Sequence, residues 1–229
     1  HRYMLGLYKI LENITSNFPN ILFESCSGGG GRFDGGMLYY MPQTWTSDDT
    51  DAIERLMIQE GTSLVYPTSS MGSHVSAVPN HQVHRITPLN TRGVVAMAGS
   101  FGYELDVTKM NEEEKEEVKK QVEFYKNIRS TVQFGDLYRL KSSFDSNEAA
   151  WMNLSKDGKE VVVSYVKKYS EANVIPRRLK VKALDENSLY EVIETGEVFG
   201  GDELMYIGLN IPELYGDYVS KLWRLKRKN

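Results

Sequence analysis

Apolar residues recur at helical spacing through Met4, Leu7, Tyr8, Leu11 and Ile14, and Asn17-Phe-Pro-Asn20 stops the run, which predicts an opening helix. Residues 21–24 then read as a short buried strand and residues 37–41 as a second. Over 48–59 the pattern turns helical again. Ser47 and Asp48 are good cap residues, acids crowd the first turn, and Ile53, Leu56 and Met57 form an apolar stripe. Residues 62–66 make a third strand candidate closed by Pro67, 93–98 a small-residue helical run, and 100–105 a fourth strand. Residues 111–129 predict an amphipathic helix with Val118, Val122, Tyr125 and Ile128 on its apolar side. Its acidic opening reads as a solvated first turn, with Glu116 and Lys120 as an i,i+4 pair. Strands alternating with helices imply a parallel sheet, here about half of a (β/α)8 TIM barrel.

After Gln133 the pattern changes to short strand-like runs at 137–140, 150–154, 161–166, 179–183, 189–193, 204–209 and 221–225. Lys156-Asp-Gly-Lys159 predicts a hairpin turn, and 171–176 a loop. That rhythm indicates an antiparallel β-sandwich. The expected division is therefore a barrel unit over 1–131 and a sandwich over 132–229. The basic tail, 221–228, alternates as an edge strand would, with charges guarding the edge.

Composition narrows the field modestly. At 229 residues the chain can hold one large domain or two small ones around a substantial core. A net charge of −4 offers no footprint for nucleic acid or an anionic membrane surface. No apolar run approaches the roughly 20 residues of a membrane span. The single cysteine leaves no internal disulfide framework and points to a reducing compartment. The chain opens at His1, inside a predicted helix and without a signal-peptide layout, so it is expected to be an excised piece. The sequons at Asn13 and Asn153 carry little weight beside that.

Chemistry concentrates in two loops. Ser25-Cys-Ser-Gly-Gly-Gly-Gly-Arg-Phe-Asp34 follows the first predicted strand and Gln43-Thr-Trp-Thr-Ser-Asp-Asp-Thr-Asp51 the second. An aromatic plate beside carboxylates, facing a glycine loop whose N–H groups can approach a ligand, suits sugar chemistry. A phosphate cradle is the other use of four glycines, but neither Gly-Lys-Ser/Thr nor a G-x-G-x-x-G context is present. Asp48 lies between a strand and a helix, at the rim where barrel enzymes keep their chemistry; alone, the Ser47–Asp49 cluster would merely cap that helix. Cys26 is either a small buried hydrophobe or a pocket residue, and Trp45 either a core ring or a platform for a sugar's C–H face. Glu24 is a rim residue or a structural ion-pair member. Asp34 is either a second carboxylate or an anchor of its own loop, with Arg32 as a partner. His74, His81 and His84 include a His-x-x-His pair, yet no cysteine supports zinc ligation and no metal site is expected. They are read as part of the loop after the third strand, with His74 near the rim.

The blocks S-C-S-G-G-G-G-R-F-D and W-T-S-D-D-T-D resemble the retaining α-galactosidases of glycoside hydrolase family 36. Gly72-Ser-His-Val-Ser-Ala-Val-Pro-Asn-His81 and Gly99-Ser-Phe-Gly-Tyr-Glu-Leu-Asp106 extend the resemblance in order. It covers essentially the whole chain, but only the C-terminal part of such an enzyme. It implies removal of terminal α-D-galactosyl residues from melibiose or raffinose-type oligosaccharides by a retaining double displacement. It makes Asp48, the first Asp of the S-D-x-T-D block, the acid/base, and leaves Asp49 and Asp51 to capping and structure. Cys26, the backbone at Gly28 and Gly29, and Trp45 would line the galactose pocket. The family's nucleophile sits in a K-x-D block upstream of the glycine motif. No such block occurs here, so the chain would carry the acid/base alone, be inactive by itself, and have the missing N-terminal half as its partner. The resemblance further implies no cofactor, a cytoplasmic location and a homo-oligomer. The alternatives are an α-N-acetylgalactosaminidase, a galactosyltransferase, or a non-catalytic carbohydrate-binding or scaffold fragment.

Overall fold

The computed structural model describes residues 1–228. Four short strands, β1 (Glu24–Ser25), β2 (Gln43–Trp45), β3 (Met71–Ser76) and β4 (Ser100–Glu104), form a parallel sheet in that spatial order. Helix α1 (Arg2–Asn17) precedes the sheet. Helices α2 (Gly35–Tyr40), α3 (Ala52–Thr62) and α4 (Leu89–Ala96) lie in the successive crossovers, which parallel neighbours require. Helix α5 (Glu112–Phe134) follows β4 and opens on a capping box, in which Asn111 and Glu114 satisfy each other's backbone N–H groups.

The boundaries differ from the sequence expectations in instructive ways. Residues 37–41 are not a strand: 37–40 belong to α2 and Met41 ends it, because Asp34 caps that helix by accepting from the Met37 N–H at 2.8 Å. A five-residue apolar run fits either period, and the cap decides. The first strand shrinks to Glu24–Ser25, with Ile21 and Leu22 exposed. The expected strand at 62–66 is the end of α3 and an exposed turn. The true third strand is Met71–Ser76, whose polar residues hid it. There Ser73 Oγ donates to Gln59 Oε1 of α3 at 2.6 Å, so a serine takes a buried, helix-facing position. Helix α4 begins at Leu89 rather than residue 93. On α5, Glu116 pairs with Lys119 rather than Lys120.

Beyond Gly135 the chain is antiparallel. Strands β5 (Asp136–Lys141), β6 (Glu148–Leu154), β7 (Glu160–Lys167), β9 (Leu189–Val192), β10 (Val198–Gly200) and β12 (Val219–Arg227) make a six-stranded sheet ordered β10-β9-β12-β7-β6-β5. Strands β8 (Arg177–Leu179) and β11 (Leu209–Ile211) form a separate pair. The strand expected at 204–209 is instead helix α6 (Gly201–Tyr206) followed by β11, and the strand expected at 179–183 ends at Leu179. The basic tail is not an edge strand either: β12 lies between β7 and β9, and Arg224 pairs with Glu160 at 2.5 Å.

One face of the large sheet packs Met152, Val163, Tyr165, Trp223 and Leu225 against Leu179, Leu204 and Leu209. The other face turns Ala149, Val162 and Val166 toward Leu56, Val94 and Ile128 of the helices. Burial on both faces explains why 161–166 reads as an apolar run broken by Ser164 alone rather than as an alternating one. Hydrogen bonds cross the same junction. Glu60 accepts from the Ser143 N–H at 2.7 Å and its Oγ–H at 2.6 Å, and Arg139 donates to Ser63 Oγ at 2.7 Å.

Candidate functional site

Parallel register places Trp45 opposite Gly72, and His74 opposite Gly102. Registered residues share a face, so Glu24, Trp45, Gly72, His74 and Glu104 line the side of the sheet away from Ser73 and α3. Gly72 is the tight point. A Cβ there would stand 3.0 Å from Glu24 Oε1, 3.2 Å from Thr44 O and 3.4 Å from Trp45 Cε3. His74 is therefore a strand residue and not part of the following loop. Its imidazole stacks on Trp45 with centroids 4.6 Å apart, and Nδ1 lies 3.4 Å from Glu104 Oε2. The Arg55 guanidinium lies over the Trp45 ring at 4.3 Å. Held this way, Trp45 keeps only 9% of its surface accessible.

The glycine block folds against the aspartate block. Ser27 N–H donates to Gly29 O at 2.8 Å, Gly31 N–H to Ser27 O at 3.1 Å, and Gly30 N–H reaches across to Thr46 O at 3.0 Å. Gly28 and Gly29 take φ of 56° and 72°, the left-handed region. Gly29 also lies flat on its neighbour: a Cβ there would meet Ser47 Cα at 2.4 Å and Asp48 N at 3.0 Å. Only glycine permits that contact. Cys26, just before this loop, is exposed, so it is not the buried hydrophobe that a lone cysteine usually is.

The four acidic or hydroxyl side chains around Asp48 are each committed elsewhere. Ser47 Oγ accepts from the Asp49 N–H at 3.1 Å, and Asp49 accepts from the Asp51 N–H at 3.0 Å. Asp51, 2% exposed, caps α3 by accepting from the Ile53 and Glu54 N–H groups at 3.0 and 3.1 Å, and it also pairs with Arg85. Thr50 Oγ1 accepts from Asn80 Nδ2 at 3.0 Å. Asp48 differs: it is exposed, and among the described residues its carboxylate has no hydrogen-bond or ion-pair partner. Asp34, by contrast, is occupied as the cap of α2, and its partner is Met37 rather than Arg32.

The residues that hold this arrangement escaped sequence reasoning. Asn80 is buried after β3 and accepts from the Gln82 and Val83 N–H groups, so its turn straps Thr50. Arg85 closes the strap on Asp51 and, at 3.4 Å, on Glu54. Arg55 is 2% exposed and donates from Nη1 to Ser47 O at 3.1 Å and from Nη2 to Gly72 O at 2.9 Å. Burial pulls its pKa down to about 10, against the opposing charges of Asp49 and Glu104. Asn80 lay inside a block that the sequence already singled out; nothing in the spacing marked Arg55 as buried. His81 and His84 sit in the strap, and His84 N–H donates to Asn80 O at 2.9 Å. Among the described residues no group of three or more His, Cys, Asp or Glu is arranged to hold a metal ion.

Comparison with known proteins aligns both parts of this chain. The family model for melibiase matches residues 1–135, and that for the glycosyl hydrolase family 36 C-terminal domain matches residues 148–225. The α-galactosidase AgaA of Geobacillus stearothermophilus is 62% identical over 226 residues, covering 99% of this chain and 31% of that protein. An α-galactosidase of Lactobacillus acidophilus is 55% identical over 229 residues, covering 100% of this chain and 31% of that protein. A crystal structure of an AgaA variant from the Geobacillus enzyme, in complex with raffinose, superposes with a TM-score of 0.97 at 61% identity, over 100% of this chain and 32% of that one. The chain thus spans about a third of the length of the relatives it matches.

Proposed function

The chain belongs to the melibiase family within glycoside hydrolase family 36, and we propose that it supplies the acid/base side of a site that removes terminal α-D-galactosyl residues from oligosaccharides. The observation that carries this reading is the free, exposed carboxylate of Asp48, set among neighbours that are all engaged and under a glycine loop that touches its backbone. A helix-capping role is already taken by Asp51. The relatives' names, and the raffinose complex of one of them, support α-galactosides as the substrate class.

Four parallel strands with their helices are half of a (β/α)8 barrel, and Asp48 follows the C-terminal end of β2, where barrel enzymes place their chemistry. Asp48 protonates the departing glycosidic oxygen, then takes a proton from the water that hydrolyses the galactosyl intermediate. Retention needs a second carboxylate roughly 5–5.5 Å away as nucleophile. It comes from the preceding barrel strands, in the part of the relatives' length that this chain does not span. Cys26 and the backbone of Gly28 and Gly29 face the sugar hydroxyls, and Trp45 forms the wall behind them.

The test is hydrolysis of melibiose by this chain alone, by the chain joined to the remainder found in its relatives, and by that joined form with Asp48→Asn. Activity confined to the joined form and lost in the variant is expected. Full activity from the chain alone would move the nucleophile into these residues and sink the reading.

A further inference from the structure

Arg55 is the one fully buried guanidinium next to Asp48, and its surroundings are unusual. A charge so deeply buried ordinarily has a carboxylate partner, because desolvation is otherwise uncompensated. Among the described residues no carboxylate lies within ion-pair distance of Arg55, and its Nε–H is buried without a hydrogen-bond partner. An apolar side chain at this position of α3 would fill the core without that cost. The guanidinium instead spans two backbone carbonyls that belong to different segments. Gly72 O lies on β3, and Ser47 O belongs to the peptide that leads into Asp48. The same group lies over Trp45 at 4.3 Å.

We propose that Arg55 is the positioning residue of Asp48: it clamps the Ser47–Asp48 peptide to β3 and Trp45, and so sets where the acid/base carboxyl stands. This rests on the reading of Asp48 as the acid/base. The clamp works with the glycine loop, which presses on the same peptide from Gly29, so the Ser47–Asp48 unit is held from two sides. A planar fork reaching two carbonyls at once is what arginine offers and lysine does not. Arg55 touches no substrate atom in this role; it acts through the peptide it holds.

The distinguishing readout is leaving-group dependence. A sugar alkoxide leaves poorly and needs the full proton from Asp48, whereas p-nitrophenolate leaves almost unaided. A misplaced acid therefore slows the first far more than the second. In the chain joined to its relatives' remainder, Arg55→Lys and Arg55→Met are compared with Asp48→Asn, using kcat/KM for melibiose and for p-nitrophenyl α-D-galactoside. The expected result is a loss of about 30-fold on melibiose and less than about threefold on the aryl substrate for Arg55→Lys. Arg55→Met should show a larger loss with the same skew, and Asp48→Asn the strongest skew, about 10³-fold. The skew, the quotient of the two substrates' kcat/KM on one sample, is unaffected by a smaller folded fraction. Equal losses on both substrates, with Asp48→Asn still skewed, would overturn the positioning role and leave Arg55 as a structural residue. No skew in Asp48→Asn would instead remove the acid/base reading itself.

Discussion

At the scale of single residues, the site is an exercise in division of labour among similar groups. The block from Ser47 to Asp51 looks uniform, but hydrogen bonding separates it into a buried cap, a linker and one free carboxylate. The block was legible in the sequence; the identity of the cap was not, because Asp48, Asp49 and Asp51 all suit a helix start and only the position of α3 decides. Glycine gives a sharper contrast. Gly29→Ala combines a left-handed φ with a 2.4 Å clash against Ser47 Cα, so kcat/KM of the joined enzyme should fall about 100-fold as Asp48 is displaced. Gly28→Ala meets nothing within 4 Å and carries only the cost of its φ, about 1 kcal/mol of stability with activity largely kept. Thermal melting beside steady-state kinetics separates the two. Cys26 supplies a third check: being exposed and the single cysteine, it should take iodoacetamide in the native chain, read by mass spectrometry, and galactose should protect it in the joined enzyme.

At the scale of elements, long periodic segments such as α5 could be read directly, and short apolar runs could not. Residues 37–41 and 62–66 are apolar enough for strands, yet the cap at Asp34 turns the first into α2, and the second is the last residue of α3 and an exposed turn. The strand β3 was hidden for the opposite reason, since its buried Ser73 donates to Gln59 and its His74 is engaged by Trp45 and Glu104. Strand β6 starts on a comparable buried polar group. Glu148 is 3% exposed and is held by Lys141, Tyr165 and Arg177. Burial alone would raise its pKa, but the three donors outweigh it and hold the carboxyl below the usual range. A folded-state pKa below the unfolded one contributes stability above the unfolded value, and that contribution is lost as pH falls through the folded value. Glu148→Gln should therefore cost about 2 kcal/mol at neutral pH and flatten the acid limb of stability below about pH 4.3. Urea midpoints measured from pH 3 to 7 would show it.

At the scale of the whole molecule, the two halves are coupled. Glu60 holds Ser143 and Arg139 holds Ser63, and the large sheet lends one face to the helices. Ser143, donating to the Glu60 carboxylate through both N–H and Oγ–H, offsets the burial of that group and keeps its pKa low. Glu60→Ala should lower stability by about 1–2 kcal/mol while one unfolding transition persists, because the apolar junction remains. The β1 edge of the parallel sheet is unlike this junction. Tyr3, Leu5, Ile10, Ile21, Leu22 and Tyr39 are exposed around α1, β1 and α2. A barrel completed by the relatives' remainder, as proposed, would cover them. Fluorescence of an apolar dye such as ANS should then be high with the chain alone and fall in the joined form. Sequence pattern conveyed the parallel-then-antiparallel plan, because that depends on period. Strand order in the large sheet was not legible, because it depends on which distant segments meet.

That order has a consequence for how the molecule acquires its structure. Strand β12 is synthesised after every other strand of the six-stranded sheet, yet it sits between β7 and β9. Before it arrives, the sheet exists as two disconnected ribbons, β5-β6-β7 and β9-β10, each with an open edge where β12 belongs. Pairing β12 with β7 closes a long loop, an entropic cost met all at once when this last strand of the sheet emerges. A nascent chain that has completed β11 is therefore still two half-sheets, and the cooperative unit is born only when the central strand slides between them.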